Sequence, residues 1–184
     1  AAVLFTHNLE AARRLRDVSH QIRALINLGI VSLQRGEAEV AAERYAEARR
    51  LAAEAGDLRN LAISLDNLAV LFHRRQDFSA ALAMYHQSTA AFRKLGHWNH
   101  LAHTALNLAE LYLAVGDPDR ARRLTEISRS QIKRGRLRAL EGQCAMLDAQ
   151  LSAATGDRER AARQYEAALA AAPSFEAAWE ALFT

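Results

Sequence analysis

The chain has 184 residues, enough for one domain of ordinary size and too few for a second full one. Forty Ala against six each of Val, Ile and Thr and only two Pro favour helix over strand, and an all-α protein is expected. The 51% hydrophobic and 24% charged fractions exclude a disordered tail or a fibre, and 24 basic against 21 acidic residues is too even a balance to announce nucleic-acid or membrane binding.

No apolar run is long enough to span a bilayer, and the start lacks the pattern of a secretory signal. Cys144 is the one cysteine, so no internal disulfide forms and a cytoplasmic location is the default expectation. The 22 Arg against 2 Lys, with so much Ala, matches the codon bias of a GC-rich bacterium.

Taken in chain order, the sequence repeats with a period of 40 residues. Residues 1–15 align with the second helix of a period, Ala1 under Ala41 and Phe5 under Tyr45. Helices are expected near 18–35, 38–55, 58–75, 78–95, 98–115, 118–134, 137–155 and 158–171, because apolar residues such as Leu25, Leu28 and Val31, then Leu65, Leu68 and Leu71, fall at helical spacing. Gly36, Gln76, Gly116 and Gly156 share one column, and Ala41, Ala81, Ala121 and Ala161 lie five positions on. Tyr45, Tyr85, Thr125 and Tyr165 follow, and Gly29, Ala69 and Ala109 put small residues where helices cross closely.

Each period is therefore a helical hairpin. The break at Gly116, Asp117 and Pro118 carries stop, cap and first-turn chemistry. Gly56, Gly96 and Gly135 are expected to end the second helices. From about residue 174 the chain opens another first helix. With no initiating Met and half-repeats at both ends, it reads as a piece of a longer protein, whose exposed Val3, Leu4, Phe5, Trp179, Leu182 and Phe183 invite self-association.

This pattern of Leu followed by a small residue, turn Gly, Ala and Tyr resembles the tetratricopeptide repeat. It is strongest in "NLGIVSLQRGEAEVAAERYAEA", "NLAVLFHRRQDFSAALAMY" and "GDRERAARQYEAALAAAP", where Pro173 falls at the family's terminal proline. The period is similar to that of kinesin light chains, Leu-Gly-Asn type scaffolds and MalT-like regions of bacterial regulators. The resemblance implies a right-handed α-α superhelix of antiparallel hairpins, with repeats at 18–57, 58–97, 98–137 and 138–173, a preceding second helix at 1–17 and a following helix or cap at 174–184. The third repeat departs at Thr125. The fourth departs at Leu147 and Asp148, where the others have Asn and Leu, so either its first helix is rotated or its groove face differs.

Such repeats bind extended partners along a concave surface made by the first helices. The resemblance places there Arg23, Asn27, Ile30 and Gln34, then Ile63, Asp66, Asn67, Val70 and Arg74, then His103, Asn107 and Glu110. Asn27, Asn67 and Asn107 form a column whose amides can donate and accept, holding a peptide backbone without selecting its side chains. The alternative is that these amides bond neighbouring helices and only shape the stack. Relatives that clamp a C-terminal carboxylate use Lys and Arg where this chain has Ile26, Ile30, His103 and Asn107, so that clamp is absent.

His97, His100 and His103 lack a completing ligand nearby in sequence, so no metal is expected. Residues 120–138 carry eight basic side chains, Arg120, Arg122, Arg123, Arg129, Lys133, Arg134, Arg136 and Arg138, against Glu126. Without interleaved aromatics they read as a solvated outer face, and nucleic acid is not the expected partner. Cys144 shares a column with Ala24, Ser64 and Thr104 and reads as a core thiol. No phosphate-binding loop or nucleophile motif is present, so no cofactor and no catalysis are expected. The leading reading is a protein-interaction module holding an extended peptide. The second is a sensor or oligomerisation region of a bacterial transcription regulator or signalling ATPase, and the third a structural spacer.

Overall fold

A computed structural model describes residues 2–171. Ala1, Pro173, Trp179, Leu182, Phe183 and the expected helix at 174–184 lie outside the described residues. The helices are α1 (Ala2–Arg14), α2 (Val18–Gln34), α3 (Ala38–Glu54), α4 (Leu58–Arg74), α5 (Phe78–Leu95), α6 (Trp98–Ala114), α7 (Pro118–Gly135), α8 (Glu141–Ala154) and α9 (Arg158–Ala171), with a 3-10 turn at Arg138–Leu140 before α8. No strand occurs among the described residues.

The turns share one chemistry. Most helix ends close with a backbone N–H donating to a carbonyl five residues back, from Asp17 to Ala12 (2.9 Å), Asp57 to Ala52 (2.9 Å) and Asp117 to Tyr112 (2.8 Å), among others. The residue before the donor is left-handed. These residues form two columns, Gly36, Gln76, Gly116 and Gly156, and Arg16, Gly56, Gly96 and Arg136. α7 ends at Gly135 as expected, but the left-handed position is Arg136, one residue on, in register with Gly96. Gly135 serves close packing instead: a Cβ there would lie 3.2 Å from Leu137 Cγ.

Aspartate then starts the next helix. Asp17, Asp57, Asp77, Asp117 and Asp157 each accept from the backbone N–H three residues on, at 3.0–3.1 Å. These turns are thus capped as well as the one at Pro118, whereas Glu37 and His97 make no side-chain cap bond. Leu137 offers no capping side chain, and α8 begins at Glu141 after a 3-10 turn rather than at 137 as expected.

The described residues divide into two compact units, one up to Gly96 and one from His97 on. In the first, α1 to α5 pack as successive antiparallel neighbours, and α2 also touches α4. Its core joins Ile22, Leu25 and Leu28 of α2 to Tyr45 and Ala48 of α3 and Leu68 and Leu71 of α4. In the second unit, α6 packs on α7, α8 on α9, and α6 and α8 adjoin. Leu106, Leu111, Ala121 and Leu147 are fully buried there. The four alanines of the 41/81/121/161 column are buried in both units, which lets the helices of each hairpin approach closely.

Two hairpins carry a polar pair where the intervening ones are apolar. Arg44 donates to Ser32 Oγ (2.6 Å) and to the Leu28 carbonyl (3.0 Å), and Ser152 donates to Gln164 (2.6 Å). The equivalent positions hold Phe72 with Met84 and Tyr112 with Leu124.

Tyr45 is fully buried, and its hydroxyl finds no hydrogen-bond partner among the described residues. Burial pushes the phenol up to about 12, with a smaller opposing effect from the Arg74 charge. Because the folded state holds this proton more tightly than the unfolded chain, stability is full below pH 10 and falls as pH rises from 10 towards 12. Tyr45→Phe is expected to be neutral or stabilising by up to about 1 kcal/mol at pH 7 and to remove that alkaline loss. Urea midpoints measured from pH 7 to 11.5 check both; a clear loss of stability at neutral pH would show that the hydroxyl is satisfied.

Candidate functional site

On α2 and α4 the leucine stripes face the core and leave the other face to polar and β-branched residues. Arg23, Gln34 and Arg74 are exposed, Ile30 is 39% exposed, and Asn27, Ile63, Asn67 and Val70 are half-buried. Asp66 sits lower, at 8% exposure, on the floor of that face. Asn27 and Asn67 thus occupy equivalent, accessible positions on two helices that touch.

Arg23 and Asn27 also line a cleft of about 420 Å³ between α1 and α2, with Phe5, Asn8, Leu15 and His20 on its walls. The α1 residues are an addition to the expected site. Sequence alignment cast α1 only as a packing helix, although Asn8 and the exposed Leu15 break its apolar pattern. Asp17 closes one end of the cleft: its carboxylate accepts from the His20 backbone (3.0 Å) and lies 2.7 Å from His20 Nδ1. The backbone hydrogen bond is the main reason its carboxyl lies below the usual range. At the other end of the face His73, beside Arg74, is held below the ordinary imidazole value, first by burial and then by the Arg74 charge.

In the second unit the three expected residues His103, Asn107 and Glu110 gather on α6, where two of them bond to α8. Asn107 is only 7% exposed, and its Oδ1 accepts from Gln143 Nε2 of α8 at 2.9 Å. The same Gln143 amide donates to Glu110 at 3.0 Å. Asn107 Nδ2 lies 3.5 Å from His103 Nδ1. Asn107 therefore spends its acceptor on the helix-to-helix contact, whereas Ile63, which follows Asn27 by the same thirty-six residues, has no polar side-chain group to offer it. Gln143 was the missed residue; it sits in the column of Arg23, Ile63 and His103, and its amide was the available signal.

The fourth repeat keeps its register. Cys144, Leu147, Ala149 and Leu151 are buried as Thr104, Asn107, Ala109 and Leu111 are, so α8 is not rotated and its face differs in chemistry. Asp148, replacing a core leucine, is half-buried and paired with Arg129 of α7. Burial pushes the Cys144 thiol up, which makes it a poor nucleophile. Among the described residues no group of three or more His, Cys, Asp or Glu side chains is placed to hold a metal ion, and no helix is long and apolar enough to cross a membrane.

The tetratricopeptide repeat model matches residues 20–94 and again 60–126, together more than half of the chain. The chain belongs to the tetratricopeptide repeat family. Members of this family are protein-interaction scaffolds, and the chain is one by that membership. This tetratricopeptide repeat chain is similar to the solved structure of BtubC (BKLC) from P. vanneervenii, with 24% identity, a TM-score of 0.78, and 95% of this chain and 72% of that one covered. It is also similar to the crystal structure of MamA protein, with 18% identity, a TM-score of 0.58, and 94% and 92% covered. At these identities the likeness is one of fold. No curated protein matches.

Proposed function

We propose that this tetratricopeptide repeat chain holds an extended protein segment along the face of α2 and α4, with Asn27 and Asn67 as clamps on the ligand backbone. The reading rests on one observation: the two amides stand at equivalent, accessible places on adjoining helices, unlike Asn107, whose carbonyl is already engaged. Helices about 8–10 Å apart would present a rung at about every third residue of a strand-like or polyproline-like ligand. Ile30, Ile63 and Val70 add apolar contact, and Arg23 and Arg74 with Asp66 give the face charges of both signs. The hairpins 18–57 and 58–97 are the repeats that build it.

Each amide hydrogen bond contributes about 0.5–1.5 kcal/mol, so Asn27→Ala with Asn67→Ala is expected to weaken peptide capture by about tenfold or more. Asn107→Ala is expected to leave capture intact and to lower stability by about 1 kcal/mol through the disturbed Gln143 network. A peptide-array screen with the three proteins, matched for circular dichroism, tests this. Equal retention by wild type and the double variant would remove the clamp.

A further inference from the structure

The basic stretch of α7 is not spread evenly around the helix. Ala121, Thr125, Ser128 and Ile132 form its buried stripe. Arg122, Arg129 and Lys133 follow at helical spacing along one exposed edge, and Arg136 and Arg138 continue past the helix end. Two clefts of about 340 and 380 Å³ flank Arg129. The first is electrically mixed, with Glu126, Asp148 and Asp157 opposite its arginines. The second is lined by Arg129, Lys133, Arg136 and Arg138 over Ile132, with Glu141 the one acidic side chain.

The basic groups of the second cleft are largely uncommitted. Arg129 is paired with Asp148, and Arg120, further up α7, with Asp117 at 3.3 Å and with the Tyr112 ring. Lys133, Arg136 and Arg138 make no ion pair with any described residue. Eight basic side chains and one acidic lie in residues 120–138 of a chain whose total is +3, so the remaining residues are net negative. A long polyanion running on along α7 would meet Glu126, Asp148 and Asp157 in the adjoining cleft. Nor does any exposed aromatic side chain line the cleft for base stacking. A short run of carboxylates meets neither obstacle, and arginine suits them as a two-pronged donor.

We propose that the cleft of Lys133, Arg136 and Arg138 at the end of α7 is a second docking surface, for a short acidic segment of a partner protein. Its basic side chains come from within ten consecutive residues, 129–138, so the acidic segment it fits is a few residues long. This surface lies in the second unit and does not depend on the clamp proposed for α2 and α4.

The test is fluorescence anisotropy with the full chain, using labelled decaglutamate and a labelled ten-nucleotide single-stranded DNA as probes at low and at physiological salt. Decaglutamate is expected to bind with an affinity that falls as salt rises, and Lys133→Ala with Arg138→Ala to weaken it at least tenfold. Arg49→Ala, a basic residue of α3, is expected to leave it unchanged, as are Asn27→Ala and Asn67→Ala. Arg136→Gly separates binding from folding: glycine fits the left-handed backbone better, so Tm is expected to rise while affinity falls. No binding at low salt, binding indifferent to the double and Arg136 variants, or tighter binding of the oligonucleotide would each overturn the proposal.

Discussion

Gly29→Val is expected to destabilise the first unit by about 2–3 kcal/mol, as overpacking of a closed core does. Even a single Cβ at Gly29 would lie 2.4 Å from Tyr45 Cε1 and 2.8 Å from two further ring atoms, and Tyr45 has no exposed side to retreat towards. The gain in helix propensity from losing glycine is smaller than this clash. Ala69 and Ala109 occupy the equivalent place in the next two hairpins, opposite Tyr85 and Thr125 in the repeat pattern, so the first hairpin has the tightest version of a shared contact. Urea unfolding followed by circular dichroism measures the loss. An unchanged midpoint would mean that the Tyr45 ring does not lie against α2.

Leu147→Asn is expected to cost about 3–4 kcal/mol in the second unit. The substitution restores the asparagine of the other three repeats, yet Leu147 is fully buried. It removes the burial of a leucine side chain, worth about 2–5 kcal/mol in truncation series, and introduces an amide that must find partners inside the core. Asn107 tolerates a nearly covered position because Gln143 donates to it. Thermal unfolding of the variant against Leu147→Met, a volume-conserving control expected to lose less than about 1.5 kcal/mol, isolates the polar cost. A variant as stable as wild type would place residue 147 at the surface.

The hairpins, their helix limits and the buried alanine column were legible in the sequence because periodic burial leaves a periodic trace, which α2 to α6 follow closely. The left-handed residue after α7 was not. Gly135 drew attention as a stop signal, but the backbone requirement belongs to the column of Gly56 and Gly96, and an arginine fills it at 136. The candidate face was legible on α2 and α4, where side chains not needed for packing are polar or β-branched. Asn107 could not be distinguished from Asn27 and Asn67 by type or spacing. Asn107 differs from Asn27 in the residue thirty-six positions later, a bonded Gln143 for one and an apolar Ile63 for the other. Cys144 and the pairing of Asp148 with Arg129 show the same limit, since a departure from the repeat pattern announces a change without saying which neighbour answers it.

The polar pairs of Ser32 with Arg44 and Ser152 with Gln164 give each hairpin a private identity. If α2 were exchanged for α4, Arg44 would meet Phe72 and lose its hydroxyl acceptor, while Met84 would meet Ser32 and strand that group without its mate. Sequence likeness among the repeats therefore does not make them spare parts. Recombination between them yields mismatched halves, and the order of the hairpins along the chain is protected by chemistry as well as by connectivity.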